Sequence, residues 1–195
     1  MINWPNLRAI LGSQQTAFEE LCAQLARHED GFPPGSRYVR KGRPDAGVEC
    51  YWRTPTGKET AWQAKFFLNT PTPSQWAQCD SSVQKALDKH PDIERYIVCL
   101  PVDLPDGRVA GTTTARDRWN ERVTKWEGWA TDRGMVVSFE LWDGSELLDR
   151  LSREEHRGRI WFWFKTETLS QEWCSRRFEE TREDLDRRYQ PDLHV

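Results

Sequence analysis

The sequence lacks a long apolar run, and this excludes a helix that crosses a membrane. Such a helix needs about 20 consecutive apolar residues, whereas hydrophobic residues make up only 37% of the 195 positions and are scattered. The N-terminus has no basic segment followed by an apolar stretch and a small-residue cleavage site, so we expect no export signal. The sequence therefore predicts a cytoplasmic protein with no membrane partner.

Metal-ligand and phosphate-binding signatures built on cysteine, histidine or glycine are also missing. The five cysteines form no CxxC or CxxxC pair, the four histidines are scattered, and no GxxxxGK(S/T) motif occurs. These gaps argue against a zinc site, a thiol redox centre and a P-loop ATPase. We expect the cysteines to be reduced residues of the core. They are Cys22, Cys50, Cys79, Cys99 and Cys174.

A strong positive charge is lacking too, since the formal net charge is −3. This argues against indiscriminate binding to nucleic acid but leaves open a local basic groove. The candidates for such a groove are Arg40, Lys41, Arg43 and Lys85. An ordinary solvated loop and helix face remain the alternative. Eleven tryptophans could stack on bases, but Trp76, Trp119 and Trp126 recur at helical spacing and are expected in the core.

Hydrophobic periodicity predicts helices and strands that alternate along the chain. The predicted helices cover 13–28, 73–89, 116–132, 145–151 and 170–187, and the predicted strands cover 48–52, 60–67, 96–100 and 135–141. Such alternation favours an α/β sheet over a helical bundle. We expect the strand at 96–100 to be central because it is apolar throughout.

Polar residues interrupt two neighbouring strands, and these residues carry the candidate chemistry. Gln63 and Lys65 are two apart and share one face of their strand. The segment 54–58 has the proline and glycine of a hairpin turn, so an antiparallel pair would bring Glu49 within reach of both. A carboxylate, an amide oxygen and an ammonium group together suit Mg²⁺ and a phosphate. The pattern therefore indicates hydrolysis of a phosphodiester bond, with Lys65 acting on the attacking water.

These residues resemble a known family, the PD-(D/E)xK nucleases, and among them the Mrr-like restriction endonucleases. Those proteins have an Asp-Gly-Gly-(Ile/Val)-Asp element followed by Gln-x-Lys on the next strand. Here the matching residues are Asp45-Ala46-Gly47-Val48-Glu49 and Gln63-Ala64-Lys65. The departures are Glu49 in place of aspartate and Ala46 in place of glycine. The resemblance implies a restriction-endonuclease-like core with a central mixed β-sheet, flanking helices and extra C-terminal helices.

The resemblance also implies a role for each candidate residue. Catalysis would use Asp45, Glu49, Gln63 and Lys65, and Mg²⁺, with Mn²⁺ as an alternative ion, would be held by Glu19, Asp45, Glu49 and Gln63. Glu19 enters because the family's first helix often has a glutamate after an aromatic residue. Each residue also has a purely structural alternative to a catalytic or metal-binding role. These are a half-solvated strand face for Glu49, Gln63 and Lys65, a turn position for Asp45, and a solvated helix face for Glu19.

The expected domain organisation is a nuclease domain at 1–165, with its core at about 13–141, and a C-terminal helix and linker at 166–195. The ending is similar to the junction in STAND-type antiphage ATPases of bacteria, where a nuclease effector precedes an ATPase and a sensor region. That similarity implies cleavage of double-stranded DNA in antiviral defence and a homo-oligomer formed through a downstream region outside this chain. Two alternatives stay open: a catalytically silent module that binds nucleic acid or protein, and an RNase on the same fold.

Overall fold

The chain divides into two compact units, Met1–Phe164 and Lys165–Val195. In the computed structural model the described residues are 2–42, 46–107, 113–164 and 171–188. Within them, no helix has the length and apolar character that a membrane crossing requires. The second unit contributes the helix α6, Gln171–Arg188.

A five-stranded mixed sheet forms the centre of the first unit. Its strands are β1 Arg37–Arg40, β2 Cys50–Arg53, β3 Glu59–Ala64, β4 Ile93–Cys99 and β5 Ser138–Trp142, in the order β1-β2-β3-β4-β5. The pairs β1–β2 and β2–β3 are antiparallel, whereas β3–β4 and β4–β5 are parallel. The expected α/β class with a central mixed sheet is confirmed. The strand expected at 96–100 is β4, a buried interior strand that lies between β3 and β5, as its apolar sequence predicts.

The helices of the first unit cover both faces of this sheet. They are α1 Gln14–Arg27, α2 Pro73–Lys89, α3 Ala115–Thr131, α4 Gly144–Ser152 and α5 Arg157–Phe164. Hydroxyl side chains cap three of the N-termini: Ser13 accepts from the Thr16 amide, and Thr72 and Thr114 form capping boxes. Such caps satisfy amides that have no partner inside the helix.

Two hydrophobic cores lie on opposite faces of the sheet. The helices α2 and α3 cross between parallel strands and pack on one face, where Trp76, Trp119 and Trp126 are buried, as their helical spacing predicts. The helices α1, α4 and α5 pack on the other face around residues such as Trp62. Four cysteines are buried and free, but Cys174 on α6 is exposed, so its predicted core position is wrong. Burial on both faces explains why β4 is apolar from Tyr96 to Cys99.

A buried ion pair holds one end of β3. The carboxylate of Glu59 accepts hydrogen bonds from Arg53 Nε at 3.0 Å and pairs with His90 Nδ1 at 2.8 Å. Burial alone would raise the pKa of Glu59, but the hydrogen bonds from His90 and Arg53 outweigh this effect and lower it. This contact ties the C-terminal end of α2 to the first residue of β3.

A cluster of basic side chains, formed by His28, His156 and Arg159, joins the end of α1 to the start of α5. Arg159 Nη1 donates to His156 Nδ1 at 2.6 Å, and the ring of His28 contacts that of His156 edge-on at 5.7 Å. Burial lowers the pKa of His156, and the neighbouring Arg159 guanidinium lowers it further. Because the Arg159 guanidinium can only donate, His156 Nδ1 accepts this hydrogen bond, and the contact favours the neutral ring.

We expect this cluster to make the first unit acid-sensitive. Below pH 6.5, the ordinary histidine pKa, the unfolded chain binds a proton at position 156 that the folded chain does not, so stability falls as the pH falls. Urea midpoints measured between neutral and mildly acidic pH should decrease, and His156→Gln, which keeps an acceptor for Arg159, should flatten that decrease. Equal pH slopes in the two proteins would contradict the assignment.

Candidate active site

The antiparallel pairing of β2 with β3 brings two predicted site residues together. Cys50 pairs with Trp62, so Glu49, one residue before Cys50, stands opposite Gln63, and its amide donates to the Trp62 carbonyl at 2.8 Å. Gln63 Nε2 donates to Glu49 Oε1 at 2.7 Å. The two residues are only 4% and 2% exposed. The predicted hairpin is confirmed, and burial excludes a half-solvated strand face for this pair.

The amide oxygen of Gln63 is buried and accepts no hydrogen bond within the described structure. The amide nitrogen serves both Glu49 and the Ala64 carbonyl, the latter at 3.3 Å. Reversing the amide would place its oxygen against the Glu49 carboxylate, so Glu49 determines the orientation. An unsatisfied buried acceptor costs about 1–3 kcal/mol, which a bound cation or donor would offset. This oxygen is therefore a candidate ligand position.

Arg40, predicted to contact nucleic acid, lies at the end of β1 beside Glu49. Its Nη1 donates to the Glu49 carbonyl at 2.6 Å and lies 3.5 Å from Glu49 Oε2, while its Nε lies 3.5 Å from Glu20 Oε2. Burial alone would lower the pKa of Arg40, but the carboxylates of Glu49 and Glu20 outweigh it and raise the pKa. Arg40 therefore stays charged and acts as a counter-ion to the buried acid.

Lys65 follows β3 directly and extends its hydrogen bonding, because its amide donates to the Cys99 carbonyl at 3.0 Å. Residues two apart share a sheet face, so Lys65 lies on the face of Gln63 that α2 covers. Burial raises the pKa of the Cys79 thiol on α2 to about 12, and the Lys65 ammonium acts against this shift. The partly buried lysine is therefore close to α2, on the same side of the sheet as Gln63.

Glu19 approaches the same end of β3 from α1. It is 9% exposed, and its Oε1 accepts from Gln15 Nε2 at 2.9 Å. Gln15 also reaches the Ala64 carbonyl at 3.4 Å and accepts from the Phe66 amide at 3.0 Å. Gln63, which donates to Glu49, also donates to the Ala64 carbonyl. Glu19 and Glu49 are therefore each connected to this carbonyl through one glutamine. A solvated helix face is therefore excluded for Glu19.

Gln15 was not identified from the sequence as a site residue. Its spacing to Glu19, four positions along a helix, is a signal that such a pair can interact. Nothing in the sequence indicates its contact with Ala64, which is 49 positions away. Sequence reasoning likewise missed that Arg40 faces Glu49.

A tight turn leads the chain into Glu49. Ala46 and Gly47 have φ values of 52° and 81°, both in the left-handed region, and Tyr96 Oη donates to the Gly47 carbonyl at 2.6 Å. A glycine at position 46 would adopt this conformation more easily than the alanine does. Asp45 and Arg43, which precede the turn, lie outside the described residues.

The two remaining predicted nucleic-acid contacts are accessible. Lys41 is partly exposed, and its ammonium lies 5.9 Å from the centre of the Tyr51 ring. Lys85 is exposed on α2, between Ser82 and Ala86, whose backbone atoms lie against Gly47. Both lysines therefore flank the segment that carries Glu49.

The donors at this site suit a hard cation in type, although they are few. In the ranges described, no group of three or more histidine, cysteine, aspartate or glutamate side chains is placed to hold a metal. The donors present are the Glu49 carboxylate and the Gln63 amide oxygen, with Glu19 linked to the same strand. Mg²⁺ takes one or two carboxylates and keeps several waters, so this oxygen set fits it.

Comparison with known proteins adds no assignment, because no family model matches the chain and no curated protein is significantly similar to it. The functional assignment therefore depends on the arrangement of Glu49, Gln63 and Lys65.

We expect the turn before Glu49 to be intolerant of a side chain at position 47. A Cβ on Gly47 would lie 2.1 Å from the Ser82 carbonyl oxygen, in addition to the strain of its positive φ. Gly47→Ala should therefore destabilise the fold by about 3 kcal/mol or more, measured by urea unfolding.

The matched control is Gly57→Ala in the β2–β3 turn. Gly57 has a φ of 89°, and a Cβ added there would meet no atom within 4 Å, so only the strain applies. Its cost should be about 1 kcal/mol. Equal losses in the two variants would show that the close approach of Gly47 to α2 is unimportant.

Proposed function

We propose that the protein is a metal-dependent endonuclease that hydrolyses phosphodiester bonds of double-stranded DNA. The observation that carries the proposal is the buried, unsatisfied Gln63 oxygen beside the Glu49 carboxylate on adjacent strands. Burying an acid and leaving an amide oxygen without a partner both reduce stability. Such a cost is typical of a site kept for a ligand.

Glu49 and Gln63 would hold Mg²⁺ or Mn²⁺, and the resemblance adds Asp45 and Glu19 as further ligands. When bound there, the ion supplies a positive charge that stabilises the scissile phosphate and lowers the pKa of bound water. Gln63 fits this role because its free oxygen is held in place by the hydrogen bond from its own nitrogen to Glu49.

Lys65 would act on the attacking water and on the phosphate. Its ammonium can donate a hydrogen bond that orients the water, and its positive charge offsets the negative charge that develops on the phosphate oxygens. Its position two residues after Gln63, on the same sheet face, supports this role. Lys41, Arg43 and Lys85 would bind phosphates away from the reacting bond, and Arg40 would contribute its positive charge beside Glu49.

Three finer parts of the proposal rest on the resemblance alone. They are a role as an effector in bacterial antiviral defence, a preference for double-stranded DNA, and control by oligomerisation through a downstream ATPase and sensor region. None of the motif residues distinguishes ribose from deoxyribose, so RNA is tested as a substrate beside DNA.

Replacing Lys65 by alanine should abolish cleavage and leave the fold intact. Because a positioned charged donor contributes at least about a hundredfold to such reactions, Lys65→Ala should lower plasmid cleavage by that factor or more. Cleavage is measured with Mg²⁺ and with Mn²⁺ over a range of protein concentrations, and folding by circular dichroism.

The matched control is Lys58→Ala, which removes an exposed lysine from the β2–β3 turn at the other end of the strands. It should cleave like the wild type. Full activity in Lys65→Ala would remove the proposed mechanism, and RNA cleavage without DNA cleavage would make the protein an RNase.

Cation binding tests the ligand set without relying on activity. Titration calorimetry with Mn²⁺ should detect binding to the wild type, and Glu49→Gln should weaken it at least about tenfold. The control Glu140→Gln changes a partly exposed glutamate of β5 that pairs with Arg95. It should bind Mn²⁺ as the wild type does. Equal binding by all three proteins would place the ion elsewhere.

A silent nucleic-acid-binding module is the second candidate, and one observation favours it. Arg40 already lies 3.5 Å from Glu49 Oε2, so the acid has an internal counter-ion. In that case the wild type would show neither Mn²⁺ binding nor cleavage, while duplex DNA would still bind with strong salt dependence. Wild-type Mn²⁺ binding that depends on Glu49 would exclude this alternative.

A further inference from the structure

The helix α6 exposes apolar side chains along one stripe. Phe178 and Leu185 are 66% and 63% exposed, and they are seven positions apart. Cys174 and Thr181, both also exposed, complete the stripe with successive spacings of four, three and four residues. This is the spacing of the seam in a two-stranded coiled coil. In proteins most helical stability comes from packing of an apolar face, so a partner on the stripe would stabilise α6.

We propose that α6 pairs antiparallel with α6 of a second copy of this chain. The argument comes from the charges that flank the stripe. With 100° per residue, Arg177 and Asp184 lie on one flank, and Ser175 and Arg182 lie on the other. In an antiparallel pair each flank meets the same flank of the partner, so Arg177 faces Asp184 of the second copy, twice by symmetry.

The parallel arrangement is disfavoured by the same charges. There each flank meets the opposite flank of the partner, and Arg177 would face Arg182 of the second copy. Within one helix Arg177 pairs with Glu180 at 2.8 Å, but both side chains are more than half exposed. Exposed pairs of this kind contribute little, so Arg177 can exchange its partner at low cost.

The antiparallel arrangement defines the apolar layers. Phe178 would pack against Thr181 of the second copy, and Cys174 would pack against Leu185, each contact occurring twice. The two Cys174 side chains would then lie at opposite ends of the seam. In a parallel pair they would face each other. The exposed cysteine therefore reports the orientation of the helices.

Sedimentation equilibrium of the full 195-residue chain tests the association. The wild type should shift from one to two copies with rising concentration, and Phe178→Glu should weaken the association at least about tenfold. The control Arg176→Glu changes a charge on the opposite side of the helix and should leave the association within about twofold of the wild type. A wild type that remains a monomer at every concentration would overturn the proposal.

A charge exchange tests the register. Arg177→Glu and Asp184→Arg should each weaken the dimer, because each places like charges together, and the double variant should restore it. Failure of the double variant to restore the dimer would reject the antiparallel register.

Oxidative cross-linking tests the orientation. Leu185→Cys should form a disulfide with Cys174 of the second copy, identified by peptide mass analysis, whereas the wild type should not cross-link. A wild-type disulfide between two Cys174 residues would show a parallel pair instead. The association is independent of the nuclease proposal, since none of its measurements uses the residues around Glu49.

Discussion

The hydrogen bond from Gln63 to Glu49 depends on the register in which β2 pairs with β3, and the candidate site depends on that register in turn. With Cys50 opposite Trp62, Glu49 stands opposite Gln63, and the amide donates a hydrogen bond to the acid. A slip of one residue would reverse the face to which each side chain of β2 points and would break this contact. The left-handed turn at Gly47, pressed against Ser82 of α2 and held by Tyr96, leads the chain into this register.

The site lies where parallel strands end, a common position for ligands in α/β proteins. Lys65 continues β3 and pairs with the carbonyl of Cys99, the last residue of β4. On the opposite face, Gln15 of α1 donates hydrogen bonds to both the Glu19 carboxylate and the Ala64 carbonyl. Polar groups of α1 and charged and polar groups of the strands therefore meet at one end of β3. At its other end, the Glu59 carboxylate is already paired with Arg53 and His90 and has little capacity for a ligand.

Much of the fold could be read from local pattern. The helix predicted at 73–89 matches α2, which the structure shows to begin after Thr72 and to end at His90, because caps and periodicity act over a few residues. The α/β class also followed from alternation. The order of the strands in the sheet did not follow, since an apolar run such as residues 96–99 of β4 predicts a buried strand but does not identify the strands beside it. Cys174 was misplaced because burial frequencies describe a residue type and not the exposed helix on which this one lies.

The sequence by itself determined the chemistry available to the protein: an acid before one strand, an amide and an amine two apart on the next, and a hairpin turn between them. Spacing rules are local, so they sufficed for these residues. Only the tertiary structure decided that the Gln63 oxygen is left unsatisfied, that Arg40 neutralises Glu49, and that Gln15 links α1 to β3. These contacts arise from packing between segments far apart in the chain, and their geometry is set by the whole sheet and the helices that cover it.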